Sequence, residues 1–183
     1  MKLSEHKELK TEILSLPQKE KDKLLLRLVA KDKVLTEHLH FLLLEDETNL
    51  SERVAILKQE IIATQKNLTT AKDVLANLRK QLKLINLFFK VTKANFEDVE
   101  LRIFLLNYTT AEFKSKFFSS FKNYEQLFAV FFVKSVLATL KKFEKLHDDL
   151  QFDLKEDLNK LLSKTFNKSM AAIATDLGLP KQL

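Results

Sequence analysis

"AKDVLANLRKQLKLINLFFKV", residues 71–91, places Leu78, Leu82, Ile85 and Phe89 at i, i+4, i+7 and i+11. That spacing keeps one apolar stripe on one side of a 3.6-residue helix. A strand would alternate every second residue, and this segment does not. Arg79, Lys80, Lys83 and Asn86 lie off that stripe, so the segment reads as one amphipathic α-helix.

The same reading extends outward. The chain has 183 residues with one glycine and two prolines. Tight strand turns consume glycine, proline and asparagine, so a sheet of this length is hard to build here. Leucine, lysine and glutamate lose little rotamer freedom in a helix. The expected class is all-α: about eight to ten helices over 1–183 as a single domain, arranged as an irregular bundle or an array of helical hairpins.

Local signals place the elements. Leu3, Leu9, Ile13 and Leu16 form a first short stripe that Ser4 can cap. Pro17 ends that helix and suits the first turn of the next. Leu24, Leu25, Leu28 and Val29 lie in phase, and the phase resets at Lys31–Asp32 before Val34, Leu35, Leu39, Leu42 and Leu43. This is a helical hairpin. "EDETNLSERV" (45–54) is a break, with Ser51 as the expected cap, and "NLTTAKD" (67–73) is a second, with Thr70 as cap. Further breaks are expected at 93–95 and 107–110. Phe113, Phe117 and Phe121 recur every fourth residue, and a longer helix runs from Tyr124 to about Leu146, with helical phase continuing through Leu150, Leu154, Leu158 and Leu161. Ser169 is expected to cap a last helix, ended by Gly178 with Pro180 behind it.

Composition excludes several chemistries. With no cysteine there is no disulfide, thiolate metal site or thiol nucleophile. With one glycine there is no dinucleotide fingerprint, P-loop or nucleophile elbow. His6 and Glu8 fit the first half of a zinc deaminase signature, but the cysteine half is missing. "MKLSEHKELK" has no apolar signal region, and the longest apolar run, Leu127–Val133, is far short of the roughly 20 residues a span requires. No membrane partner and a cytoplasmic location are therefore expected.

The acidic stretch "EKLHDDLQFD" (144–153) is the first candidate for chemistry. Carried on one wheel from Leu146, Asp149, Asp153 and Glu156 face away from the apolar sector. His147 falls inside it, at about 100°, flanked by Glu144 and Gln151. The expected role is a histidine at the core edge bonded by those two. Glu144–His147 is also a Glu-x-x-His pair, and Glu37–His40 is another. Two such pairs supply the metal ligands of ferritin-like di-metal carboxylate bundles, with further glutamates from other helices. Glu100, among Val99, Leu101 and Phe104, is the candidate bridging carboxylate. Glu37 and His40 share a polar sector with Lys33 and Thr36, so a solvated role suits them better. No catalytic residue and no cofactor is assigned.

The net charge of +6 is uneven. Residues 1–60 carry 11 basic and 12 acidic groups, whereas residues 61–145 carry 15 and 7. Arg79, Lys83, Asn86, Lys90 and Lys93 recur along one face of the 71–91 helix, a surface suited to phosphates. With four arginines in the chain, bidentate base readout is not expected. The fifteen phenylalanines keep mostly to helical stripes and suit a core, while Phe118 and Phe131, off those stripes, point to an enclosed or dimeric segment.

"LPQKEKDKLLLRLVAKDKVLTEHLHFLLLE" (16–45), "LKLINLFFKVTKANFEDVELRIFLL" (82–106) and "KLHDDLQFDLKEDLNKLL" (145–162) together resemble an uncharacterised family of small all-helical proteins of Bacteroidetes-type bacteria, some of them labelled deaminases. The resemblance implies a bacterial helical protein and carries no substrate, cofactor or site residue with it. The expected role is a non-enzymatic interaction or scaffold protein with a protein partner or a second copy of itself. Nucleic acid or another polyanion is the alternative partner, and a di-metal carboxylate enzyme the second alternative.

Overall fold

The computed structural model describes residues 5–66, 68–113, 123–167 and 170–183. Among them there are nine α-helices and no strand: α1 (Lys7–Ser15), α2 (Gln18–Val29), α3 (Lys33–Leu44), α4 (Glu47–Gln65), α5 (Ala71–Thr92), α6 (Asn95–Tyr108), α7 (Tyr124–Phe143), α8 (Asp148–Thr165) and α9 (Ala171–Asp176). The all-α class holds. The caps expected at Ser4 and Ser169, and Phe117, Phe118 and Phe121, lie outside the described residues. Where the sequence suggests one domain, the chain groups into two compact units, Met1–Leu44 and Glu45–Leu183.

The first unit is a helix followed by a hairpin. Pro17 precedes α2 with its backbone extended, as a residue without an N–H can do at no cost. At the foreseen phase reset, Asp32 Oδ1 accepts from the backbone N–H groups of Val34 and Leu35, an N-cap that starts α3. Thr36 Oγ1 reaches back to the Val29 carbonyl at 2.8 Å and ties the two arms. None of the three helices buries a residue. Eight leucines stand exposed: Leu9, Leu14, Leu25, Leu26, Leu28, Leu42, Leu43 and Leu44.

The second unit holds the core. Asp46, not Ser51, opens α4. It forms a capping box with Asn49, and the Ser51 hydroxyl donates within the helix to the Glu47 carbonyl. Thr70 caps α5 as the sequence suggests, its oxygen accepting from Asp73 N–H. Lys93, at φ 58°, turns the chain out of α5. Of the expected stripe Leu78 and Ile85 are buried, as are Val74, Leu75 and Phe88, whereas Leu82 and Phe89 are half-buried.

α6 is the central helix, in contact with α4, α5, α7 and α8. Val99, Leu101, Ile103, Leu105 and Leu106 are all buried. Lys58 meets Glu100 and Gln65 meets Thr109, so α4 and α6 run parallel. The pairs Lys72–Tyr124, Arg79–Phe131 and Phe89–Lys142 likewise set α5 parallel to α7. Phe113 is not helical; its ring meets Phe128 edge-on at 5.0 Å. α9 ends in a Schellman motif: Leu179 N–H bonds the Ala174 carbonyl and Gly178 N–H that of Thr175, with Gly178 at φ 69°, where a Cβ would be strained.

Candidate functional site

The break between α7 and α8 corrects the reading of the acidic stretch. α7 stops at Phe143 and α8 starts at Asp148, so no single wheel spans 144–153. His147 is the N-cap of α8, its Nδ1 accepting from Asp149 N–H at 3.4 Å, and its side chain is 75% exposed. It is not a core-edge histidine. Gln151 donates instead to the Leu146 carbonyl at 2.8 Å, in the turn that leads into α8. Glu144 is the exposed C-cap of α7.

The proposed carboxylate ligands have other occupations or places. Glu100 accepts from Lys58 Nζ at 2.7 Å and links α6 to α4. Glu37 and His40 are exposed on α3 of the first unit. Among the described residues no three histidine, aspartate or glutamate side chains are grouped so as to hold a metal ion.

The basic face of α5 is present but partly committed. Arg79, Lys83, Asn86, Lys90 and Lys93 are all exposed. The Arg79 guanidinium lies 5.0 Å from the Phe131 ring centroid, a cation–π placement. Asn86 Oδ1 accepts from the Arg102 guanidinium at 2.5 Å. Lys83, Lys90 and Lys93 make no ion pair among the described residues and are the part available to a ligand.

Two charged centres were not foreseen. Asp98, 1% exposed, accepts from Arg102 at 3.0 Å and from Lys142 at 2.7 Å, and Lys142 also lies over Phe89. This is a structural tie among α5, α6 and α7. Lys164 Nζ donates to the carbonyls of Leu106, Asn107 and Thr109 at 2.9, 2.7 and 2.5 Å. Burial lowers its pKa to about 8, while three carbonyls at the negative end of α6 favour the ammonium. It borders a cavity of about 630 Å³ with Tyr108, Glu112 and Asn167. All three of its N–H groups are engaged, so it closes the end of α6 and is not a nucleophile. Its signal in the sequence is weak: Lys164 lies two residues past the Leu158–Leu162 stripe and looks like any solvated lysine.

The other feature missed is apolar. Phe152 is 80% exposed, on the face of α8 opposite the buried Leu154. One turn away on either side stand Asp148, Asp149 and Glu156. Its phase relative to Leu154 and Leu158 was enough to place it among the acidic residues.

No family model, curated protein or solved structure matches the chain.

Proposed function

We propose that this chain is a non-enzymatic interaction protein in which residues 45–183 form the stable body and α1–α3 present a docking face to a protein partner. The observation that carries the reading is the absence of any buried residue in α1–α3 beside eight exposed leucines. Exposing that much leucine is unfavourable by roughly 25 cal/mol per Å², and large exposed apolar patches mark interaction sites. The test is the double substitution Leu26→Glu, Leu43→Glu. A docking face tolerates both: helical content and unfolding midpoint stay at the wild-type values. A fall of many degrees would show that the leucines close a core within the chain, and the reading would fail.

The free lysines of α5 support a second reading, binding of nucleic acid or another polyanion. Lys83, Lys90 and Lys93 are exposed and have no carboxylate partner among the described residues, and lysine neutralises phosphate with a steep dependence on salt. Binding to single- or double-stranded DNA, RNA or heparin should weaken as salt rises and drop when Lys83 and Lys90 become glutamate. Binding that is absent at low salt rejects this reading.

A further inference from the structure

Two surfaces of this chain have opposite charge and matching apolar centres. α2 and its flanks, residues 18–33, carry six basic and three acidic side chains, with Leu25, Leu26 and Leu28 exposed among them. Residues 144–157 carry six acidic and two basic side chains. At their centre is Phe152, beside a groove of about 280 Å³ whose walls include Phe143, Asp148, Gln151 and the half-exposed Leu183.

We propose that these two surfaces bind each other between molecules: α2 of one copy docks on the acidic, Phe152-bearing face of α8 in a second copy. The proposal rests on the docking role of the exposed leucines and names their occupant. An amphipathic helix docks through an apolar anchor bordered by its charged flank; on α2 that anchor is the exposed Leu26, since Leu25 and Leu28 lie on the far side of the helix from Lys23 and Arg27. Lys19, Lys23 and Arg27 line the flank of α2 beside Leu26. Asp149, Asp153 and Glu156 line the flank of α8 beside Phe152. Charge complementarity of this kind steers encounter and sets register, while burial of Phe152 and Leu26 supplies the apolar gain. The two patches differ, so the contact is heterologous: each copy offers one donor helix and one acceptor groove.

The experiment is a charge exchange read by light scattering on the full chain over a range of concentrations. One variant carries Lys23→Glu and Arg27→Glu, the other Asp153→Lys and Glu156→Lys. All four positions are exposed and the α8 pair lies beyond the helix's first turn, so folding is preserved and is checked by circular dichroism. Wild-type mass should rise above 21.3 kDa with concentration and fall back as salt is added. Each variant alone sets like charges face to face and should associate at least about tenfold more weakly, which corresponds to about 1.4 kcal/mol or more. The mixture pairs acidic α2 with basic α8 and basic α2 with acidic α8, and should recover association. Phe152→Ser should weaken association with no change in unfolding midpoint. A wild type that stays monomeric at every concentration, variants that associate as the wild type does, or a mixture that stays dissociated overturns the proposal. If the wild type is monomeric while the Leu26 and Leu43 substitutions leave stability unchanged, the docking face stands and its occupant is a different protein.

Discussion

α3 and α8 each contain five leucines, and four in each have identical spacing: Leu35, Leu39, Leu42 and Leu43 in one, Leu154, Leu158, Leu161 and Leu162 in the other. All four in α8 are buried. None in α3 is, and Leu43 is 71% exposed. The helix periodicity is therefore not what separates them. α8 packs on α6, a helix that is itself apolar on most sides. α3 has α2 as its neighbour, and α2 exposes leucines of its own. An i, i+4, i+7, i+8 pattern states which side of a helix requires a partner. It does not state that the same chain provides one.

That difference can be attacked by measurement. The largest effect is expected at Asp98, for which the first unit has no counterpart among its described residues. Asp98→Ala leaves Arg102 buried beside Asn86 alone and should cost about 3–5 kcal/mol in denaturant unfolding. Next come the matched leucines. Leu162→Ala opens a cavity against α6 and should cost about 2–5 kcal/mol, whereas Leu43→Ala, at the corresponding place in α3, should stay within about 0.5 kcal/mol. Equal losses at the two positions would erase the distinction between the units.

The pH response of Lys164 sharpens the contrast further. Its folded pKa, about 8, is below the unfolded value of 10.5. Between those values the unfolded chain binds more protons, so stability rises with pH across this window. Relative to Lys164→Met, the wild type should gain on the order of 1–2 kcal/mol over that range, after allowance for solvent screening. A flat difference would mean that the three carbonyls and the end of α6 cancel the cost of burial.

Much of the fold was legible in the chain. Thr70, Pro17 and Gly178 mark boundaries where the structure has them, because caps and turns are set by one or two local side chains. The α5 stripe was legible for the same reason: its spacing belongs to a single unbroken helix. His147 was misplaced because one helical phase was carried across a four-residue break that leaves only a polar, non-committal signature, "EKLH". Asp98 and Lys164 were invisible for a different reason. Arg102 stands four residues from Asp98, but the partners that tie helices together, Lys142 for Asp98 and the end of α6 for Lys164, lie 44 and more than 50 residues away, and single-helix periodicity has no reach over such distances. The division at Leu44 was equally hidden, since α3 shows the apolar pattern of a core helix.

The central position of α6 also has a consequence for synthesis. Its buried face is completed by α8, and about 40 residues separate the end of one from the start of the other. At bacterial and eukaryotic elongation rates of about 5–20 residues per second, that gap lasts roughly 2–8 s. Throughout that interval Leu105 and Leu106 have left the ribosome's active centre ahead of the helix that covers them. The nascent chain thus carries an apolar segment made before the helix that covers it, and burial of Leu105 and Leu106 waits on the synthesis of α8.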